Sequence, residues 1–178
     1  KGEPGEMQLS NSDIAELVAW RRKLHQQPEI SGEEEQTARA VVDFMQETKP
    51  NQVITGLGGH GVAVMYDSGK PGPTILFRSE LDALPIEEIS DIAHRSTVSG
   101  KSHMCGHDGH TAILAAVGRQ LGRNRPASGR VVLMFQPAEE TGDGAAGVVS
   151  DERFRTIQPD FAFSLHNLTG TAFGHVRL

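Results

Sequence analysis

"GRVVLMFQPAEE", Gly129–Glu140, decides how the rest of this chain is read. Val131 to Phe135 form a continuous apolar run with no polar alternation. Such a run suits a strand buried on both faces of a sheet, as in parallel sheets covered by helices. The acidic pair Glu139-Glu140 follows directly, and the strand and Pro137 before it favour a fixed position for the pair. "GHTAILAAVGRQLGR" reads as a helix starting near Gly109, and "TILFR" as a strand after the tight turn "GKPGP". Asn51 to Tyr66 reads as two strands around the glycine-rich turn "GLGGHG". Residues 86–104 are polar and irregular and form a long loop. Beyond the acidic pair, "DGAAGVVSDERF" is a short helix and "DFAFSLH" a further strand.

Two helices precede the strands. "NSDIAELVAWRRKLHQQPE" places Ile14, Leu17, Val18 and Leu24 at near-helical spacing, with Ser12 or Asn11 as cap and Pro28 at the end. "SGEEEQTARAVVDFMQE" sets Ser31 and Glu34 at capping-box spacing, followed by a stripe of Ala38, Val41, Val42 and Met45. Strands alternating with helices predict an α/β domain with a largely parallel mixed sheet.

The 178 residues suit one domain with a real core, and 37% hydrophobic with 22% charged residues is ordinary for a globular chain. A net charge of −6 with no basic cluster argues against nucleic acid or an anionic membrane as the main partner. The longest apolar runs are too short to span a bilayer. Residues 1–30 lack a basic-then-apolar leader pattern, which predicts a cytoplasmic protein. "KGEPGE" reads as part of a flexible tail over residues 1–10, with Met7 as a candidate native start. Cys105 is the single cysteine, so it forms no internal disulfide.

Chemistry-bearing residues fall repeatedly just after strands. "TILFR" leads into Glu80 and Asp82, "VVLMF" into Glu139 and Glu140, and "FAFSL" into His166 and Asn167. Open α/β sheets bind ligands outside the carboxyl ends of their strands, so these groups point to one sheet edge. "SHMCGHDGHTAIL" enters its helix nearby. Cys105 and His107 stand two residues apart, on one side of an extended loop, and thiolate plus imidazole suits a borderline ion such as zinc. Glu140 and His166 can complete the set, and a thiolate can bridge two ions. In an extended segment Glu139 and Glu140 point different ways, so one can bind metal while the other takes a proton from water. Two other readings stand beside this one. Cys105 with His107 or His110 and Asp108 supplies the residue types of a cysteine nucleophile. A non-catalytic metal-binding module is the other. His25, near the end of the first helix, suits a structural role. His60, His94, His103 and His175 lie in turns, the loop or near the terminus. "GLGGHG" does not fit the dinucleotide fingerprint.

At "WRRKLHQQPEIS", "ELDALPIEE", "MCGHDGHTAIL", "VVLMFQPAEE" and "SLHN" the chain resembles the N-terminal part of the M20 metallopeptidase-like amidohydrolases. Within that family it is similar to the N-acyl-amino-acid amidohydrolases, hippurate hydrolases and auxin-conjugate hydrolases. The resemblance implies a zinc-exopeptidase-like catalytic domain, of which residues 11–178 are the N-terminal portion. It implies two divalent ions (Zn, Mn, Ni or Co) held by Cys105, His107, Glu140 and His166, with Cys105 bridging. Glu139 is then the general base and Asp82 an acid near the metals. Glu80 stands where the family more often has Asp. The implied substrate is a small N-acyl amino acid or peptide-like amide, and a homo-oligomer fits the family's dimerising lid domain. Neither that lid nor the returning segment with a final histidine ligand is found in the sequence, so the chain reads as truncated.

Overall fold

The computed structural model describes residues 9–172 and 174–176. Met7 and most of the tail expected over residues 1–10 lie outside the described residues. Helix α1 spans Asn11–Gln26 and α2 spans Glu35–Gln46. Strands β1 (Gln52–Leu57), β2 (Gly61–Asp67) and β3 (Thr74–Glu80) follow, then α3 (His107–Arg123), β4 (Arg130–Gln136) and α4 (Gly144–Ser150). A 3₁₀ turn at Glu152–Thr156 leads to β5 (Phe161–Ser164). The sheet order is β1-β2-β4-β3-β5. β1/β2 and β2/β4 are antiparallel, while β4/β3 and β3/β5 are parallel.

The run in β4 explains this centre. Val131, Leu133 and Phe135 face the core shared with α1, α2 and α3, and Val132 and Met134 face the one with α4 and the 3₁₀ turn. Burying side chains of this size stabilises by about 1.5–3 kcal/mol each, which draws β4 to the middle of the sheet. Helix α3 lies close on the sheet because Gly118 has no side chain. A Cβ there would stand 2.8 Å from Tyr66 Oη and 3.1 Å from Leu133 Cδ1. At the other extreme, all four residues of β5 are exposed at the sheet edge.

The caps differ from expectation in an informative way. Helix α1 is capped by Ser10 in a capping box with Asp13, not by Ser12 or Asn11. Glu34 is the N-cap residue of helix α2, but neither its side chain nor that of Ser31 caps the helix. The Glu29 carboxylate does so, accepting from the amides of Gln36 at 3.2 Å and Thr37 at 2.7 Å. Ser31 donates to Asp82 Oδ2 at 2.7 Å, and Glu34 accepts from the Ala138 amide at 2.7 Å. The spacing that signals a helix start is used to reach other strands' ends. Ile14 and Val18 of the expected α1 stripe are exposed, while Leu17 and Leu24 are buried. Among the described residues no helix is long and apolar enough to cross a membrane.

Candidate metal centre

The three parallel strands β3, β4 and β5 end at one edge, and α3 starts there. Glu80 closes β3 and Asp82 follows it. Glu139 and Glu140 follow β4, and His166 follows β5. His107 opens α3 after Gly106, whose φ of 92° is a left-handed conformation that glycine adopts freely. This helix starts two residues before the expected Gly109, which brings His107 into its first turn.

His107 is the hub. Its side chain is fully buried. Its Nδ1 lies 2.8 Å from the Asp82 backbone oxygen, a donor geometry that leaves Nε2 as the free lone pair. Nε2 is buried with no hydrogen-bond partner. It faces Glu139 Oε2 at 3.7 Å and Glu140 Oε1 at 3.8 Å. His166 repeats the pattern, with Nδ1 2.7 Å from the Asn167 oxygen and Nε2 3.4 Å from Cys105 Sγ. Hydrogen bonding of one ring nitrogen to a carbonyl is the usual way a protein aims the other at a metal. Donor atoms of Cys105, His107 and His166 lie within 4.8 Å of one another, as do those of His107, Glu139 and Glu140.

The acidic pair does not splay as an extended segment would. Ala138 has φ of 47°, a left-handed conformation that turns the chain between Pro137 and Glu139. Both carboxylates therefore reach His107. The turn also rests against α4, where a side chain on Gly144 would run into the Pro137 carbonyl.

Electrostatics favour a cation here. Two ionised carboxylates within 4.8 Å repel by about 1–3 kcal/mol across effective dielectrics of about 80–20. Burial and the Glu140, Glu139 and Glu80 carboxylates push the Cys105 thiol up to about 12. That is opposite to what a cysteine nucleophile needs, since nucleophilic thiols sit in electropositive surroundings. A cation bound beside the thiol would offset that negative charge. Together with the orphaned His107 Nε2 and the buried, unpartnered Glu140 Oε1, the donor set fits a divalent ion.

Asp82 touches both His107 and the backbone of the acidic pair. Burial raises its carboxyl, but hydrogen bonds from His107, the Glu140 amide, Ser31 and the Glu139 amide outweigh this and hold it at about 2. Oδ2 accepts from the Glu140 amide at 2.9 Å, and Oδ1 lies 3.4 Å from His107 Nδ1.

Other residues enter that the strand-end pattern did not single out. His110, one helical turn after His107, bonds Glu80 Oε2 at 2.9 Å and Asn167 Oδ1 at 2.6 Å. Arg78 holds the other side of Glu80 at 2.6 Å. Glu80, His107 and His110 form a third buried group of donor atoms within 4.8 Å. The i, i+3 spacing of "HDGH" was the available signal for His110. His25 is a buried tie between elements, with Nδ1 2.8 Å from Asp108 and Nε2 3.2 Å from Glu88. His103 is buried as well, and burial pushes its imidazole down to about 4.

The sequence profile of Peptidase family M20/M25/M40 matches residues 76–177. An N-acetyl-L-cysteine deacetylase of Bacillus subtilis is 38% identical over 92% of this chain and 39% of its own length. IAA-amino acid hydrolase ILR1-like 5 of Arabidopsis thaliana is 35% identical over 86% of this chain and 35% of its own. The crystal structure of a dinuclear metal-binding M20 peptidase from Bacillus subtilis superposes with a TM-score of 0.82 at 32% identity, covering 89% of this chain and 44% of that one. The chain thus spans about two fifths of the length of these relatives. With the profile matching more than half of the chain, and with its α/β sheet and strand-end cluster in place, the chain belongs to the M20/M25/M40 peptidase family.

Proposed function

We propose that residues 11–178 are the N-terminal portion of a metal-dependent amidohydrolase domain that cleaves small N-acyl amino acids by attack of water on the amide. The observation that carries this reading is the buried, unpartnered Nε2 of His107, ringed by a thiol, a second imidazole and two carboxylates. Cys105, His107, Glu140 and His166 would hold the ions. When bound, divalent cations such as Zn, Mn, Ni or Co polarise the scissile carbonyl and acidify the attacking water. Glu139 takes the proton from that water and passes it to the leaving amine. Asp82 acts through His107 and the Glu140 amide, holding both in place, and is a positioning residue. The substrate class draws support from relatives named for N-acetyl-L-cysteine and for IAA-amino acid.

The test is hydrolysis of a panel of N-acetyl amino acids by the purified full-length protein, with and without chelator. Turnover is expected to fall to background on chelation and to return with added Zn or Mn. Turnover that survives complete metal removal, but is lost on alkylation of Cys105, would instead establish the cysteine-nucleophile reading.

A further inference from the structure

We propose that Glu34 is a positioning residue for the Glu139-Glu140 pair, acting through the backbone of Ala138; the inference rests on the function proposed above. Glu34 is fully buried at the start of α2, remote in sequence from the strand ends. Its Oε1 accepts the Ala138 amide at 2.7 Å, and Oε2 is buried without a partner. A carboxylate in that position is poorly explained by stability alone, because a buried oxygen without a donor opposes folding.

What it touches explains it better. Ala138 carries a left-handed φ of 47°, a conformation that an alanine adopts at a penalty and a glycine freely. That single torsion turns both following carboxylates toward His107. The turn is pinned on either side of Glu139. Glu34 holds the amide of Ala138, and Asp82 holds the amide of Glu140 at 2.9 Å. Ser31, from the same connection as Glu34, anchors Asp82 in turn at 2.7 Å. Residues 31–34 thus set the direction of the catalytic pair without approaching the substrate. Strained backbone of this kind persists only where its surroundings over-determine it.

The geometry makes a specific rescue pattern. In Glu34→Gln the amide oxygen still accepts from Ala138. In Glu34→Ala nothing does, and the turn can relax to an ordinary φ. In the double variant Glu34→Ala/Ala138→Gly the left-handed turn no longer needs holding. Four forms of the full-length protein are compared by amide hydrogen exchange, by Mn titration and by kcat and KM. Expected are slow exchange of the Ala138 amide and wild-type Mn affinity within about threefold for Glu34→Gln. Glu34→Ala should lose that protection, bind Mn about 10–100-fold more weakly, and lose kcat with little change in KM. The double variant should recover at least about tenfold of the lost Mn affinity, and it serves in place of Glu34→Ala if that variant does not fold. Fast exchange at Ala138 in the wild type would overturn the proposal whatever the metal does. So would Glu34→Ala with wild-type Mn affinity, Glu34→Gln as impaired as Glu34→Ala, or a double variant that recovers nothing. Absence of Mn binding by the wild type with a protected Ala138 amide would instead sink the metal site and leave the latch geometry standing.

Discussion

Glu139→Gln is expected to leave divalent-metal affinity near wild type and to lower kcat by about 10²–10⁴-fold, the usual loss on removing a general base. The two carboxylates stand at nearly equal distances from His107 Nε2, 3.7 Å for Glu139 and 3.8 Å for Glu140, so distance does not divide their labour. Enclosure does. Glu140 Oε1 is buried with no partner, as a ligand atom awaiting a cation would be. The Glu139 side chain is 33% exposed against 21% for Glu140, which leaves it open to water and substrate. Glutamine keeps the shape of the base but cannot take a proton. Glu140→Gln should therefore weaken metal binding first and lower turnover as a consequence. Metal titration and steady-state kinetics on the two variants check this together. Equal loss of metal in both would mean the roles within the pair are wrongly divided.

The second large effect concerns His107, which belongs to all three groups of converging donor atoms. His107→Ala should weaken metal binding by more than the about 10–100-fold typical of outer partners, because a ligand itself is lost. It should also lower the melting temperature. The buried imidazole donates from Nδ1 to the Asp82 backbone oxygen at 2.8 Å, and leaving that acceptor unsatisfied costs about 1–3 kcal/mol. Cys105→Ser separates the two effects. Cys105 is only partly buried, so its replacement should leave the metal-free melting temperature almost unchanged while metal affinity falls. Calorimetric titration and thermal melts of both variants distinguish loss of the site from loss of the fold.

The elements of this fold and the strand-end position of the cluster were legible because they follow local rules. The apolar run of β4 announces a strand covered on both faces, and polar residues directly after β3, β4 and β5 announce the ligand edge. What the sequence concealed depends on contacts between distant segments. Ser31 and Glu34 have the spacing of a helix cap, and nothing in the letters says that they reach Asp82 and Ala138 instead. The left-handed torsion at Ala138 was equally hidden, since alanine is not a residue that signals one, and without it the acidic pair reads as splayed. In the sequence His25 shows only its place near a helix end, whereas its burial between Asp108 and Glu88 comes from how α1 packs on α3 and the 86–104 loop.

The proposed metal site requires the unpartnered Nε2 of His107 to be a metal ligand. Anomalous diffraction from crystals of the protein grown with Mn or Zn measures this directly. An ion is predicted between Cys105 Sγ, His107 Nε2 and His166 Nε2, at about 2.0–2.3 Å from its ligand atoms for zinc. Ions found only elsewhere, with His107 Nε2 still unligated at saturating metal, would rule out His107 as a ligand.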